Sequence, residues 1–430
     1  MVQPLKIALA GLGTVGGGTY RLLRNHAELL ATRAGRPLRV TCVTARDRFR
    51  DRGFTLEGVR WYEDVLNLTM DPDVDVVVEL IGGEEGPALA LIEKSLERRK
   101  HVVTANKALI ARHGMNLAKL AEKRGVTLGY EGAVGGGIPI IKGLREGLAS
   151  NEIHSLYGIL NGTCNYILTE MRRSNRPFDE VLAETQMLGY AEKDATNDVD
   201  GFDSAHKIAI LAAIAFGTGI DADNIHIEGI RSIAPMDIRF ARELGYRIKL
   251  LAIARRRKSG IDQRVHPALV SATSPVAAVD GVFNAIMIEG DPVDRVTMTG
   301  RGAGAGPTAS AVVADIVDIA RGNRNPVFGI QTTHIKPLPR VPILERFGAY
   351  YLRLSIPDRP GLIAEITKAL GDRDISIETV LHKNLAPGQA TPIVLTTHAT
   401  RESDMIQAVE AIRALGGMTA PPCLIRIEDV

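Results

Sequence analysis

Cysteine is scarce in this 430-residue chain: Cys42, Cys164 and Cys423 are the only three, far apart and odd in number. That spacing excludes a cysteine metal cluster and a disulfide framework, and it suits a reducing compartment with free thiols. Long hydrophobic runs are also missing. The longest, Ile208 to Gly217, falls well short of the ~20 residues a membrane-spanning helix requires. The short run Ile7 to Ala10 breaks into glycines too soon for a signal-peptide core. Neither charge sign is in excess, with 52 Lys and Arg against 50 Asp and Glu, a formal net charge of +2. Such a balance gives no global attraction to nucleic acid or anionic membrane, so the expected partner is a small molecule and the expected location the cytoplasm. No internal repeat or low-complexity segment is present.

What remains is the composition of an ordinary globular protein, 45% apolar and 24% charged, in a length that suits roughly two to four domains. Leu5 to Ala10 is a continuous apolar run, the pattern of a strand buried on both faces of a parallel sheet. Gly11-Leu12-Gly13-Thr14-Val15-Gly16 follows, then a helical pattern through Leu30, then a second strand, Leu38 to Thr44. Strand, GxGxxG, helix and strand in that order are the context of a dinucleotide-binding turn. The first glycine permits the tight turn, the second lets backbone approach the pyrophosphate, and the third lets helix and strand pack closely. A glycine turn without a ligand is the alternative that this context argues against. Gly11, Gly13, Thr14, Val15 and Gly16 are therefore read as cofactor-binding.

The second strand ends in Ala45-Arg46, without the acidic residue that would take a ribose 2′-hydroxyl. Arg46, backed by Arg48, Arg50 and Arg52, suits a 2′-phosphate, so NADP is expected over NAD, with Asp47 adjacent as the opposing sign. A further strand, Val74 to Leu80, ends in Gly82-Gly83, and another, His101 to Thr104, ends in Ala105-Asn106-Lys107. Carboxyl ends of parallel strands face the ligand crevice, so Lys107 either reaches the nicotinamide end or opens the next helix as a surface residue. Val126 to Tyr130 closes in Glu131-Gly132-Ala133-Val134-Gly135-Gly136-Gly137-Ile138-Pro139. A hinge between domains is the plainer reading of those glycines, and a hard cation held by Glu131 and free carbonyls is the other.

Past Pro139 the alternation loosens into strands at His154 to Leu160, Tyr246 to Ala254, Arg264 to Leu269, Val282 to Glu289 and Arg295 to Thr299, as expected of a mixed sheet. Asn161 to Tyr166 caps a helix, and its Cys164 lacks a neighbouring base, which favours a packed cysteine over a nucleophile. Gly189-Tyr190-Ala191-Glu192-Lys193-Asp194 leads through Asp198 and Asp203 to Lys207 and an apolar helix. Asp203 and Lys207 are four apart and share a helix face, which by spacing alone favours a stabilising ion pair over a site. Gly300 to Pro307 is a glycine-rich nest opening a helix through Arg321, a segment suited to return to the cofactor. Asn323 to Pro342 reads as a proline-rich linker. The last eighty or so residues follow a β-α-β-β-α-β order, which is ferredoxin-like.

In motifs, the chain resembles the homoserine dehydrogenase family with a C-terminal ACT domain. The resemblance lies in GLGTVG from Gly11, GGEEGP from Gly82, TANK ending in Lys107, EGAVGGGIPI from Glu131, NGTCNY from Asn161, GYAEKDATNDVDGFDSAHK from Gly189, GRGAGAGPTASAV from Gly300 and DRPGL from Asp358. These cover nearly the whole chain in order. The resemblance implies an α/β protein: a Rossmann-type dinucleotide-binding domain at 1–134, with 303–335 packing back on it; an α+β mixed-sheet catalytic and dimerisation domain at 135–322; a proline-rich linker at 323–348; and a ferredoxin-like ACT domain at 349–430. It implies NAD(P)H-dependent interconversion of L-aspartate 4-semialdehyde and L-homoserine, on the route to threonine and methionine.

By the same resemblance Lys207 is the proton donor and Lys107 sits between nicotinamide and the reacting carbon. Glu192 and Asp203 take the substrate amine, Asp198 lines the same pocket, and Gly189 and Gly304 lie close to the cofactor. Glu131 with the carbonyls of Val134, Gly136 and Ile138 matches a sodium site of structural character. The Asp358-Arg359-Pro360-Gly361 turn is where an ACT domain binds an amino acid between paired copies, with threonine the natural ligand by analogy and a homodimer or homotetramer implied. Two rival readings are a thiol-dependent semialdehyde oxidation through Cys164 and a non-catalytic NADP-binding sensor. The two lysines argue against the sensor, which has no use for a proton donor.

Overall fold

A computed structural model describes residues 2–357, 359–382 and 391–430. Asp358 of the expected effector turn lies outside the described residues. The amino-terminal sheet is built from β1 (Leu5–Ala10), β2 (Leu38–Thr44), β3 (Arg60–Trp61), β4 (Val76–Glu79), β5 (His101–Thr104) and β6 (Leu128–Gly129). It is wholly parallel, in the order β3-β2-β1-β4-β5-β6. Ile7, Leu9, Val76 and Val78 are fully buried because helices cover both faces. The order reverses between β1 and β4, so their carboxyl ends open a crevice at a topological switch point. The helix Ala305–Arg321 returns to this sheet: its Val312, Val313 and Ile316 share a core with Ile7, Leu9 and Val78.

The second sheet takes β7 (Glu152–Ile159), β8 (His226–Ile227), β9 (Tyr246–Arg257), β10 (Gly260–Ser271), β11 (Phe283–Asp291) and β12 (Asp294–Arg301). These strands run beyond the apolar stretches that announce them. The β9–β10 ladder continues to the hairpin tip, pairing Arg257 with Gly260: Arg256 and Arg257 face water without a hydrophobic signal, whereas Gly260, Ile261 and Asp262 opposite them are buried. The helix Phe202–Phe216 lies almost wholly buried against this sheet, its Ile208, Ile210 and Leu211 fully enclosed.

The carboxy-terminal region adds β13 (Phe347–Gly348), β14 (Tyr350–Ile356), β15 (Ile377–His382), β16 (Thr391–Thr397), β17 (Thr400–Arg401) and β18 (Ala420–Glu428). The order β18-β14-β16-β15 is the ferredoxin-like arrangement read from the sequence. β18 begins earlier than its apolar core suggests, at Ala420, because Pro421 and Pro422 are accommodated where the ladder to β14 shifts register. This region does not stand apart, however. β18 also pairs in parallel with β10, Ala268 opposite Arg426 and Val270 opposite Glu428, so the two sheets form one ten-stranded surface.

A buried ionic seam fills that junction. Glu428 meets Arg264 at 3.1 Å, Arg255 at 3.0 Å and Arg346 at 3.0 Å. Arg264, which also pairs with Asp262, is completely enclosed. Arg353 and Tyr351 of β14 hold Asp237 on the helix Pro235–Glu243, at 2.5 and 3.0 Å. The proline-rich stretch between the sheets is laid along the body. Phe328 is buried beside Tyr130, whose hydroxyl donates to the Val327 carbonyl at 2.7 Å, and Ile261 donates its amide to Pro339 at 2.8 Å.

Removing one member of a buried ion cluster leaves its partners uncompensated, at a cost of about 3–5 kcal/mol. Glu428→Ala is expected to lower the unfolding midpoint accordingly. Burial alone would raise the Glu428 pKa, but Arg264, Arg346 and Arg255 together outweigh it and hold the carboxyl well below the ordinary range. Its contribution is therefore complete above the usual glutamate pKa and fades as pH falls toward the depressed folded value. Unfolding midpoints of wild type and variant, compared across acidic pH, check this; a gap that does not narrow on acidification contradicts it.

Candidate active site

The glycine turn after β1 has the shape its pattern predicts. Gly11 sits at φ +98°, and a Cβ there would stand 2.4 Å from the Leu80 carbonyl oxygen, while one at Gly16 would stand 1.9 Å from the Gly11 oxygen. Gly13, the N-cap of the helix Thr14–Asn25, faces open space instead. Closed packing at two glycines and a clear approach at the third, before unpaired helix amides, fit a dinucleotide pyrophosphate. Gly304 is the N-cap of the helix Ala305–Arg321, and the Ala305 carbonyl comes within 2.6 Å of where a Gly18 Cβ would stand. The glycine nest therefore abuts the dinucleotide helix. At the end of β2, Arg46, Arg48 and Arg50 are exposed. Asp47, also exposed, accepts through Oδ1 from the amides of Phe49 at 2.8 Å and Arg50 at 3.2 Å.

The carboxylates and lysines converge on Asp203. It is buried in the first turn of the helix Phe202–Phe216, and each oxygen holds a different ammonium: Oδ2 lies 2.6 Å from Lys207 Nζ and Oδ1 lies 3.0 Å from Lys107 Nζ. The two lysines arrive from different domains. Lys107 opens the helix Lys107–Arg124 at the carboxyl end of β5, whereas Lys207 lies one turn along from Asp203. Lys207 also donates to the Leu160 carbonyl at 2.7 Å, an oxygen that accepts from Asn284 Nδ2 at 2.9 Å. Asn161 joins the carboxylates, its Nδ2 donating to Asp198 at 2.8 Å and Asp203 at 2.9 Å while its Oδ1 caps the next helix through the Cys164 amide.

This geometry sets the protonation directions. Burial pushes the Lys207 pKa down, Asp203 opposes that, and Lys107 adds to it, for a net lowering. The charge of Asp203 raises Lys107, with burial opposing. Burial would raise Asp203, but Lys207 and Lys107 overcome it and hold the carboxyl far below its ordinary range. Burial, then the charge of Asp203, raises Asp198. A buried carboxylate thus stays ionised between an ammonium held firmly and one whose proton is loosened.

Not every expected residue is engaged. Glu192 and Gly189 are exposed on the loop before this helix, and the Glu192 side chain makes no hydrogen bond or ion pair among the described residues, although its charge reaches Lys107. Glu131 uses its carboxylate to cap a short helix, accepting from the amides of Ile141 at 3.0 Å and Lys142 at 2.8 Å. Burial and the nearby Asp315 raise its pKa to about 7. The Ile138 carbonyl accepts from Ile140 N at 2.8 Å, whereas the carbonyls of Val134 and Gly136 accept no hydrogen bond among the described residues. Cys164 is buried, donates its thiol to the Asp198 carbonyl, and has its pKa driven well up by burial and by Asp198 and Asp203. A buried thiol next to carboxylates is a poor nucleophile. Sequence reasoning passed over Asn161 and Asn284 as site residues: an asparagine before a helix signals a cap, and nothing local signals that its other end binds two carboxylates.

Comparison with known proteins identifies the family. Family models described as "Homoserine dehydrogenase, NAD binding domain", "Homoserine dehydrogenase" and "ACT domain" match residues 11–131, 139–317 and 350–417. The chain is 45% identical to a homoserine dehydrogenase of Pseudomonas aeruginosa and 44% identical to one of Neisseria gonorrhoeae, covering 100% of each chain in both alignments. A crystal structure of a homoserine dehydrogenase from Thiobacillus denitrificans superposes with a TM-score of 0.93 at 45% identity, over 99% of both chains. A hyperthermophilic archaeal homoserine dehydrogenase in complex with NADPH superposes at 0.64 with 25% identity, over 75% of this chain and 100% of that one. With the dinucleotide turn, the lysine–carboxylate cluster and the ferredoxin-like region all matched in order, the chain belongs to the homoserine dehydrogenase family of NAD(P)-dependent oxidoreductases.

Proposed function

We propose that the chain reduces L-aspartate 4-semialdehyde to L-homoserine reversibly, with Lys207 as proton donor and NADP as the preferred dinucleotide. The observation that carries this reading is the division of one buried carboxylate, Asp203, between two ammoniums at the carboxyl edge of the parallel sheet. The dinucleotide, when bound, supplies or accepts the hydride. A carbonyl carbon that gains hydride leaves an alkoxide oxygen, which needs positive charge and a proton within hydrogen-bond reach. Lys207 offers both, with a pKa that burial brings toward the working range. In the oxidative direction the same amine, neutral, takes the proton from the alcohol. Lys107 lies beside it and contributes charge at the reacting oxygen. Asp198 and Asp203, with Glu192 on the adjoining loop, recognise the α-ammonium group of the substrate and so exclude simple aldehydes.

NADP fits because the side chains of three arginines at the end of β2 have no partner among the described residues, while Asp47 accepts from its own loop amides. A monovalent cation at the 131–138 turn would draw on the carbonyls of Val134 and Gly136. Glu131 opens the same turn, and each of its carboxylate oxygens accepts one helix amide and keeps a further lone pair. Any such ion is structural. An amino-acid effector, threonine by analogy, would bind the ACT domain, and the chain would assemble at least as a dimer. Titration of activity with threonine and sedimentation of the chain test these last two points, and an unresponsive monomer rejects both.

Lys207→Ala is expected to reduce turnover by roughly 10²–10⁴-fold while NADPH still binds, measured as NADPH oxidation with aspartate semialdehyde and as cofactor fluorescence titration. Retained turnover rules out the mechanism. Reduction requires protonated Lys207, so kcat/KM for the semialdehyde falls as pH rises through a value below the ordinary lysine range, and homoserine oxidation rises over the same interval. Arg46→Ala is expected to lower kcat/KM for NADPH by roughly ten- to a hundredfold and to leave NADH nearly unchanged. Equal losses with both cofactors would remove the 2′-phosphate argument.

A further inference from the structure

Between the carboxyl ends of β4 and β5 lies a carboxylate that the reaction above does not use. Glu79, the last residue of β4, is fully buried, in a strand whose Val76, Val77 and Val78 are buried and apolar. Its Oε1 accepts from the amides of Ile81 at 2.7 Å and Gly82 at 3.0 Å, and its Oε2 accepts from the Thr104 hydroxyl, the last residue of β5, at 2.6 Å. All three partners are donors, which suits a carboxylate and not an amide of the same shape. The Thr104 oxygen in turn accepts from the Asn106 amide at 3.0 Å. Asn106 then donates its side-chain amide to the Gly83 carbonyl at 2.6 Å and accepts from the Leu109 amide at 3.2 Å, capping the helix Lys107–Arg124.

This relay ends on the first residue of that helix, Lys107. The Lys107 side chain is 40% exposed, and its ion partner is Asp203. A half-exposed flexible side chain is placed chiefly by where its backbone starts, and a small shift there moves the ammonium off its target. A carboxylate enclosed in an otherwise apolar strand is costly unless every partner is present, so its position calls for a use.

We propose that Glu79 is a positioning residue for the reaction: through Thr104 and Asn106 it sets the start of the Lys107 helix and thereby the approach of the Lys107 ammonium to Asp203. The inference rests on the reading that Lys107 takes part at the reacting centre.

The test is a double-mutant cycle on kcat for semialdehyde reduction at saturating NADPH. Glu79→Gln and Thr104→Val are each expected to lower kcat by roughly tenfold or more. In a Lys107→Ala background neither should lower it further, because the group they place is gone. Full additional losses in that background overturn the inference while leaving the role of Lys107 intact. Wild-type kcat in Lys107→Ala overturns both. Should Glu79→Gln fail to fold, Thr104→Val keeps the buried carboxylate and carries the same comparison, and an unchanged kcat in that variant rejects the relay.

Discussion

The structure turns on the sharing of one buried carboxylate by two ammoniums. A carboxyl group taken out of water favours its neutral form, and an enclosed amine does the same, so either would lose its charge alone. Asp203, Lys207 and Lys107 keep theirs because each oxygen of Asp203 meets a different lysine, and because Asn161 supplies a further hydrogen bond. The Leu160 carbonyl fixes Lys207 from the other side. The cluster requires elements that approach from separate domains, a helix at the edge of the parallel sheet and a helix packed on the mixed one. Domain packing and the electrostatics of this cluster are therefore one constraint.

The surrounding architecture holds these two helices in place. The Ala305–Arg321 helix crosses back to the parallel sheet, and its Asp315 accepts from the Glu131 amide at 2.8 Å while Glu131 caps the turn that leads into the second domain. At the far end, β18 joins the ferredoxin-like region to β10 through a ladder and a seam of buried ion pairs. From there Arg426 grips Glu228 at 2.8 Å, and the adjoining Ile230 donates to the Val199 carbonyl at 2.9 Å, next to Asp198. The ferredoxin-like region and the segment that carries Asp198 are thus linked by a run of close contacts.

Much of the fold was legible in the chain. Buried parallel strands read as unbroken apolar runs, and Leu5–Ala10 was found to the residue because both of its faces are covered. The reading failed where strands carry no apolar run: β9 ends in three arginines, β10 begins Gly260-Ile261-Asp262-Gln263 with a buried acid, and β18 passes through two prolines. It also set the last region apart as a domain at 349–430, since no local pattern in β18 tells that one edge pairs with β14 and the other with β10.

The sequence by itself determined the dinucleotide turn, the helical face shared by Asp203 and Lys207, and the family, because glycine spacing, helical periodicity and ordered motifs are local properties of a chain. It was the family resemblance, and not the helical spacing, that marked the pair as more than an ion pair. Spacing alone favoured an ordinary ion pair, and only the tertiary structure brought Lys107 across from a position nearly a hundred residues earlier. The same holds for Glu79, an acid at the end of a valine strand whose partners are amides and a hydroxyl on neighbouring turns. Charge stabilisation depends on distance in space and on exclusion of water, and neither is set until the domains have packed.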